Sequence, residues 1–212
     1  MVSPDALLES PAASLACPAG SIAGPLTTTF DEMPAWAYFE HDPGMTTELR
    51  DSAMRVVLAD QLAAYAQFKP FETHFDARER ILRTHALALP THEVGTEALL
   101  AWYRDDTRKL VVGTQGGELI ARIHDPSLEL GYRDGREPFA ASGDTWWQIR
   151  IDATTVTVEV APDGETWRTL LSLPAFTWLE DVRPKFGIGT RTLLPEAGEA
   201  RFDLLIDCLQ VR

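Results

Sequence analysis

Residues 144–167 read DTWWQIRIDATTVTVEVAPDGETW. Two runs of alternating apolar and polar residues flank a short polar break, and the second run ends at Asp163-Gly164, a tight-turn dipeptide. Side chains on a strand point to opposite faces with period two, so Trp147, Ile149 and Ile151 share a face. Val156, Val158 and Val160 can share it from the next strand. The stretch is therefore predicted to be a β-hairpin with one apolar face. A lone hairpin cannot bury that face, so the rest of the chain must supply an opposing layer.

Working outward, the same grammar recurs. Lys109–Thr114, a Gly116-Gly117 turn and Glu118–His124 predict a second hairpin. Trp36–Glu40, Met54–Ala59, Arg80–Leu89, Glu97–Arg104, Arg168–Leu173, Lys185–Thr192 and Phe202–Val211 read as further strands. Residues 61–68 fit helical spacing as well as a strand, but Pro70 closes the run too soon for a proper helix. Residues 125–143, rich in Gly, Pro and Asp, read as a loop. Short strands with frequent turn signals and no sustained amphipathic helix predict an all-β protein, a two-sheet antiparallel β-sandwich of the jelly-roll kind. Residues 1–26, punctuated by Pro4, Pro11, Pro18 and Pro25, read as an irregular leader or linker, and 27–212 as one domain.

The 212 residues are 45% hydrophobic and 24% charged, enough to bury a full core as a single unit. A formal charge of −13 repels phosphate backbones and anionic lipid surfaces, which argues against a nucleic-acid partner. No apolar run approaches a bilayer span, so membrane insertion is not expected. Residues 1–16 lack the positive start and apolar middle of a secretory signal. Only two cysteines occur, Cys17 and Cys208. Sandwich termini often lie side by side, so these two are candidates for a bridge, which would imply an oxidising compartment; two free thiols are the alternative. Neither forms a zinc-ligand spacing.

The run Trp147-Gln148-Ile149-Arg150-Ile151, then Val156-Thr157-Val158, then Pro162-Asp163-Gly164-Glu165-Thr166-Trp167 resembles the signature of concanavalin A-like lectin/glucanase domains, laminin-G-like and DUF1349-type members above all. Phe186-Gly187-Ile188-Gly189 and Ala200-Arg201-Phe202-Asp203 match the close of that pattern. The resemblance covers residues 97–211, with Ala161 standing where a Ser is usual. It implies a concanavalin A-like sandwich, commonly extracellular and associated with carbohydrate-active proteins, and it transfers no catalytic residue. A secreted or cell-surface location is the expectation from the fold and the bridge, with a cytoplasmic one left open by the missing signal.

If Trp147, Ile149 and Ile151 face the core, then Trp146, Gln148 and Arg150 face outward, with Glu159 beside them on the partner strand. A ring, an amide, a guanidinium and a carboxylate on one surface suit a sugar, whose C–H face stacks on the ring while planar polar groups take hydroxyls. Trp102 and Arg104 are expected to extend this platform. A one-residue parity error would invert the assignment. The alternative is that a loop covers Trp146 and makes a second small core.

Several acidic residues near turns, among them Asp105, Asp106, Asp125, Asp134, Asp144, Glu180, Asp181 and Asp203, offer oxygen ligands for Ca²⁺. None has the spacing of a calcium loop, and turn capping accounts for them. The E-x-D-x-E strand of glucanases is absent. Thr46-Thr47-Glu48-Leu49-Arg50 and Gln148-Ile149-Arg150 faintly resemble alginate-lyase strands, but Arg150 replaces the catalytic His and no donor Tyr follows. The leading expectation is thus a non-catalytic binding module for a glycan or glycosylated protein, without a cofactor and of unassigned oligomeric state. A protein-interaction or structural sandwich comes second and a glycan-active enzyme third.

Overall fold

In a computed structural model, residues 26–35, 37–41, 45–58, 64–70, 73–89, 96–139, 143–190 and 202–212 are described. Fifteen strands lie among them: β1 Leu26–Thr28, β2 Ala37–His41, β3 Met45–Arg50, β4 Ala53–Leu58, β5 Ala64–Pro70, β6 Arg80–Ala88, β7 Thr96–Asp105 and β8 Arg108–Gln115. There follow β9 Glu118–His124, β10 Tyr132–Pro138, β11 Trp146–Ile151, β12 Thr155–Ala161, β13 Arg168–Pro174, β14 Arg183–Thr190 and β15 Phe202–Val211. Among the described residues a 3-10 turn, Thr177–Glu180, leads into β14. None of the described helical residues forms a segment long and apolar enough to cross a membrane.

The strands form two antiparallel sheets. Sheet A has the order β13-β12-β11-β6-β15-β4-β3, with β1 also paired to β15; sheet B has the order β10-β9-β8-β7-β14-β5-β2. The chain passes back and forth between them, so neighbours such as β7 and β14, or β6 and β15, are remote in sequence. This is the jelly-roll sandwich that the alternation predicted, and its fold is concanavalin A-like.

The hairpin of residues 146–161 pairs Trp147 with Val160, Ile149 with Val158 and Ile151 with Val156. All six side chains are buried between the sheets. They meet Phe186 of sheet B, whose ring lies 6.4 Å from that of Trp147 at an interplanar angle of 15°. Burying large apolar side chains is the dominant favourable term of such a fold.

One ambiguity of the sequence reading is resolved, and two elements depart from it. Residues 64–70 are a strand, as the closing proline favours. The expected loop of 125–143 contains β10, a polar edge strand (YRDGREP) paired with β9 along its length. It escapes pattern reading because it buries no apolar face; its register is held by backbone bonds and by the Arg122–Asp134 and Arg136–Glu118 ion pairs. On β15, register shifts around Ile206 and Cys208 break strict alternation. Ile206, Leu209 and Val211 face the core, whereas Asp207, Cys208 and Gln210 belong to the other side.

The first and last described strands do meet. β1 runs antiparallel to β15, with Leu26 opposite Val211 and Thr28 opposite Leu209. Cys208 is fully buried and is not a free thiol. Cys17 and the whole expected leader, 1–25, lie outside the described residues.

Candidate functional site

The outward side of sheet A carries the residues singled out from the sequence. Trp146 stands there, but only 2% of its surface is exposed. Its ring stacks on His85 at 4.3 Å and 12°, and it packs with Ala161, Cys208 and Trp167. Gln148 is buried too. Its Oε1 accepts two N–H groups from Arg83, at 3.1 and 2.8 Å, and its Nε2 donates to Glu159 at 2.7 Å. Arg150 donates to both oxygens of the same Glu159 carboxylate. His85 faces Asp207 through Nδ1 at 2.8 Å, and Arg83 lies over the ring of Trp167. Burial, reinforced by Arg212, pushes the Arg83 guanidinium down to about 10. The outward face of the hairpin is thus a closed polar layer.

Trp102 and Arg104 do not extend it. Trp102 belongs to sheet B and points into the core, with no exposure at all. Arg104 is exposed and stands 3.9 Å from Asp181. The expectation of a joint platform is therefore corrected. On β7 two aromatic residues adjoin, Trp102 and Tyr103, and the interior takes the larger ring. Tyr103, not Trp102, faces outward.

The acidic residues near turns have local duties. Asp105 receives the Thr107 amide and hydroxyl, Asp125 receives those of Ser127 and the Trp178 indole N–H, and Asp144 pairs with Arg168. Among the described residues no cluster of three or more metal-ligating side chains forms. The side chain of Asp203 lies outside the described set.

The other outward face, that of sheet B, holds a depression of about 490 Å³ at the middle of the sheet. Its construction follows from register. Ala101 on β7 pairs with Lys185 on β14 and with Val111 on β8, and Val111 pairs with Arg122 on β9. One row therefore reads Lys185, Ala101, Val111, Arg122, with two cations flanking two small residues. At about 4.8 Å per strand, the cations' backbones stand about 14 Å apart. The next row reads Gly187, Leu99, Gly113, Ile120. Two glycines there leave the floor low. At Gly113 a Cβ would lie 2.0 Å from the Ala98 carbonyl oxygen, so no other residue fits.

Polar groups converge from the rim. Glu97, 2% exposed, accepts a hydrogen bond from Gln115 at 2.9 Å. Gln67 and Lys69 both bond Glu40, and Arg122 bonds Asp134. Tyr103 donates its hydroxyl to Asp106 at 2.9 Å, and burial, more than that carboxylate, raises its proton affinity. The Lys185 ammonium sits 3.4 Å from the centroid of the Tyr103 ring. Two carboxylates line the depression, Glu97 and Asp106. Glu97 stands near the start of β7 and Asp106 just beyond its end, nine residues and so roughly 30 Å of strand apart at 3.3 Å per residue; a glycosidase pair lies about 5–9.5 Å apart. Of the outward positions 97, 99 and 101, only Glu97 is acidic.

No family model matches the chain, and no curated protein matches it by sequence. Solved structures do match its fold. A family 16 endo-glucanase from Bacteroides ovatus is 9% identical, covering 88% of this chain and 99% of its own, with a TM-score of 0.60. The LamA protein of Zobellia galactanivorans, solved with laminaritriose and laminaritetraose, is 12% identical, covering 88% and 97%, with a TM-score of 0.61. An immunostimulatory antigen and pseudo β-1,3-glucanase of Mycobacterium tuberculosis is 10% identical, covering 88% and 97%, with a TM-score of 0.62. The chain is similar to all three in fold. These neighbours overturn the expectation of a non-catalytic module. The same sandwich carries an endo-glucanase and a pseudo-glucanase, so it does not separate binding from hydrolysis.

Proposed function

We propose that this protein recognises a glycan, laying a saccharide chain across the outward face of sheet B. The observation that carries the reading is the depression itself. It is a low floor of Ala101, Val111 and Gly187, ringed by amide, phenol, carboxylate, guanidinium and ammonium groups drawn from five strands. An apolar floor with a few convergent polar groups is the usual form of a small-molecule site. Fold neighbours solved with glucan oligosaccharides support the same ligand class. A glycosylated protein and the oligomeric state gain no such support. Export, with a Cys17–Cys208 bridge, remains part of the proposal; it is favoured by the pairing of β1 with β15.

The test is calorimetric titration with saccharides of graded length, against Ala101→Phe, which fills the floor. The wild type is expected to bind and the variant to lose binding while keeping its melting transition. Release of reducing ends is followed on the same samples. Equal binding by the two proteins would place the site elsewhere.

A further inference from the structure

The depression is cationic at one end, on a protein whose formal charge is −13. Some of its charges are already committed: Arg122 to Asp134, Lys69 to Glu40, and Asp106 to the Tyr103 hydroxyl. The group around Tyr103 is different. Lys185 lies over the ring, the Arg183 guanidinium lies 5.5 Å from its centroid, and Lys109 is the register partner of Tyr103 on β8. Among the described residues, neither Lys185 nor Lys109 has a carboxylate within salt-bridge distance.

Lys185 is also held unfavourably. It is half-buried, and its neighbours Arg183 and Lys69 carry like charge. Burial first, then those two cations, push its ammonium down to about 8, against the weaker pull of Asp106 and Glu40. Cation–π contact with Tyr103 offsets part of that cost. A neutral sugar has no need of such a cluster, since hydroxyls are served by amides and carboxylates. An anion would relieve both the repulsion and the missing partner.

Resting on the glycan reading above, we infer that the saccharide is acidic, and that Lys185 and Lys109, beside Tyr103 and Arg183, form the subsite for its carboxylate or sulfate group. The sugar ring lies on the Ala101–Val111 floor, with its acidic substituent toward β14. Neutral units of the same chain lie toward Gln115 and Glu97.

Three oligosaccharides of equal length test this by calorimetry: a uronic-acid oligomer, a sulfated galactan oligomer and a neutral β-glucan. At least one acidic ligand is expected to bind about tenfold or more tighter than the neutral one, and to weaken as salt rises. Lys185→Met is expected to cost the acidic ligand about 10- to 100-fold, the worth of one charge-assisted contact, and to leave the neutral one nearly unchanged. Lys185→Arg keeps the charge and retains the preference. The uronic and sulfated arms separate the two acidic classes. Neutral binding as tight as acidic, or acidic binding indifferent to Lys185→Met, overturns the inference and leaves the glycan reading intact. No binding by any of the three overturns both.

Discussion

The two outward faces of the sandwich are built from the same kinds of side chain and end up opposite in character. On sheet A, Arg83, Gln148, Glu159 and Arg150 form a chain in which each polar group is answered by the next, the first three buried and Arg150 half-exposed at its end. On sheet B, the cations around Tyr103 have no such answer among the described residues, and the surface between them is hollow. A satisfied polar network rigidifies a fold; charges held apart from counter-charges in a cleft mark a place where something binds. Richness in polar and aromatic residues therefore does not identify a site. Unfinished pairing beside empty space does.

Substitutions can break this contrast. The largest effect is expected in the shared interior: Trp147→Ala removes the ring stacked on Phe186 and should destabilise by about 3–5 kcal/mol in denaturant titration. Both outward faces would weaken together. Next comes Gly164→Val. The native φ is +73°, and a Cβ there would lie 2.9 Å from the Trp146 ring, so the closed face of sheet A should lose about 1–3 kcal/mol. Glu159→Ala, which strands Gln148 and part-exposed Arg150, should cost about 1–3 kcal/mol and leave saccharide binding unchanged.

On sheet B the sign should reverse. Lys185→Met removes a poorly placed charge and is expected to stabilise by about 0.5–1 kcal/mol in thermal melts while abolishing the preference for acidic sugars. A loss of stability instead would show that Lys185 is answered structurally, as the sheet A charges are. The pH dependence gives a finer readout. The folded Lys185 titrates near 8, below the ordinary 10.5 that it regains on unfolding. Between those values the unfolded chain binds more protons, so this residue makes stability rise with pH from about 8 toward 10.5. Tyr103, raised by burial and then by Asp106, opposes the trend above about 10. The rise should vanish in Lys185→Met. Thiol titration of the denatured, unreduced protein should find no free thiol; two would exclude the Cys17–Cys208 bridge.

Much of the architecture was legible in residues 144–167. Alternation fixed which side of the hairpin is interior, and Asp163-Gly164 marked the turn that follows its second strand. Gly164 is also packed against Trp146, which the turn chemistry alone does not announce. β10 was missed because an edge strand that buries nothing has no apolar period to read. On β7 the alternation of EALLAWYR was visible, yet two adjacent aromatics allow either parity. Trp102 takes the interior, and Tyr103 is the ring that faces outward.

By itself, the sequence determined the class of fold, the inward set of the central hairpin and the acidity of the whole, because these depend on local period and composition. Only the tertiary structure decided which outward face is closed and which is open. His85 from β6 reaches Trp146 while Asp207 from β15 holds His85, and Lys185, Tyr103 and Lys109 meet from β14, β7 and β8. Strand order in a jelly roll follows long crossovers between two sheets, and no local pattern encodes which remote strands become neighbours. That choice of neighbours turned one polar face into packing and left the other as a site.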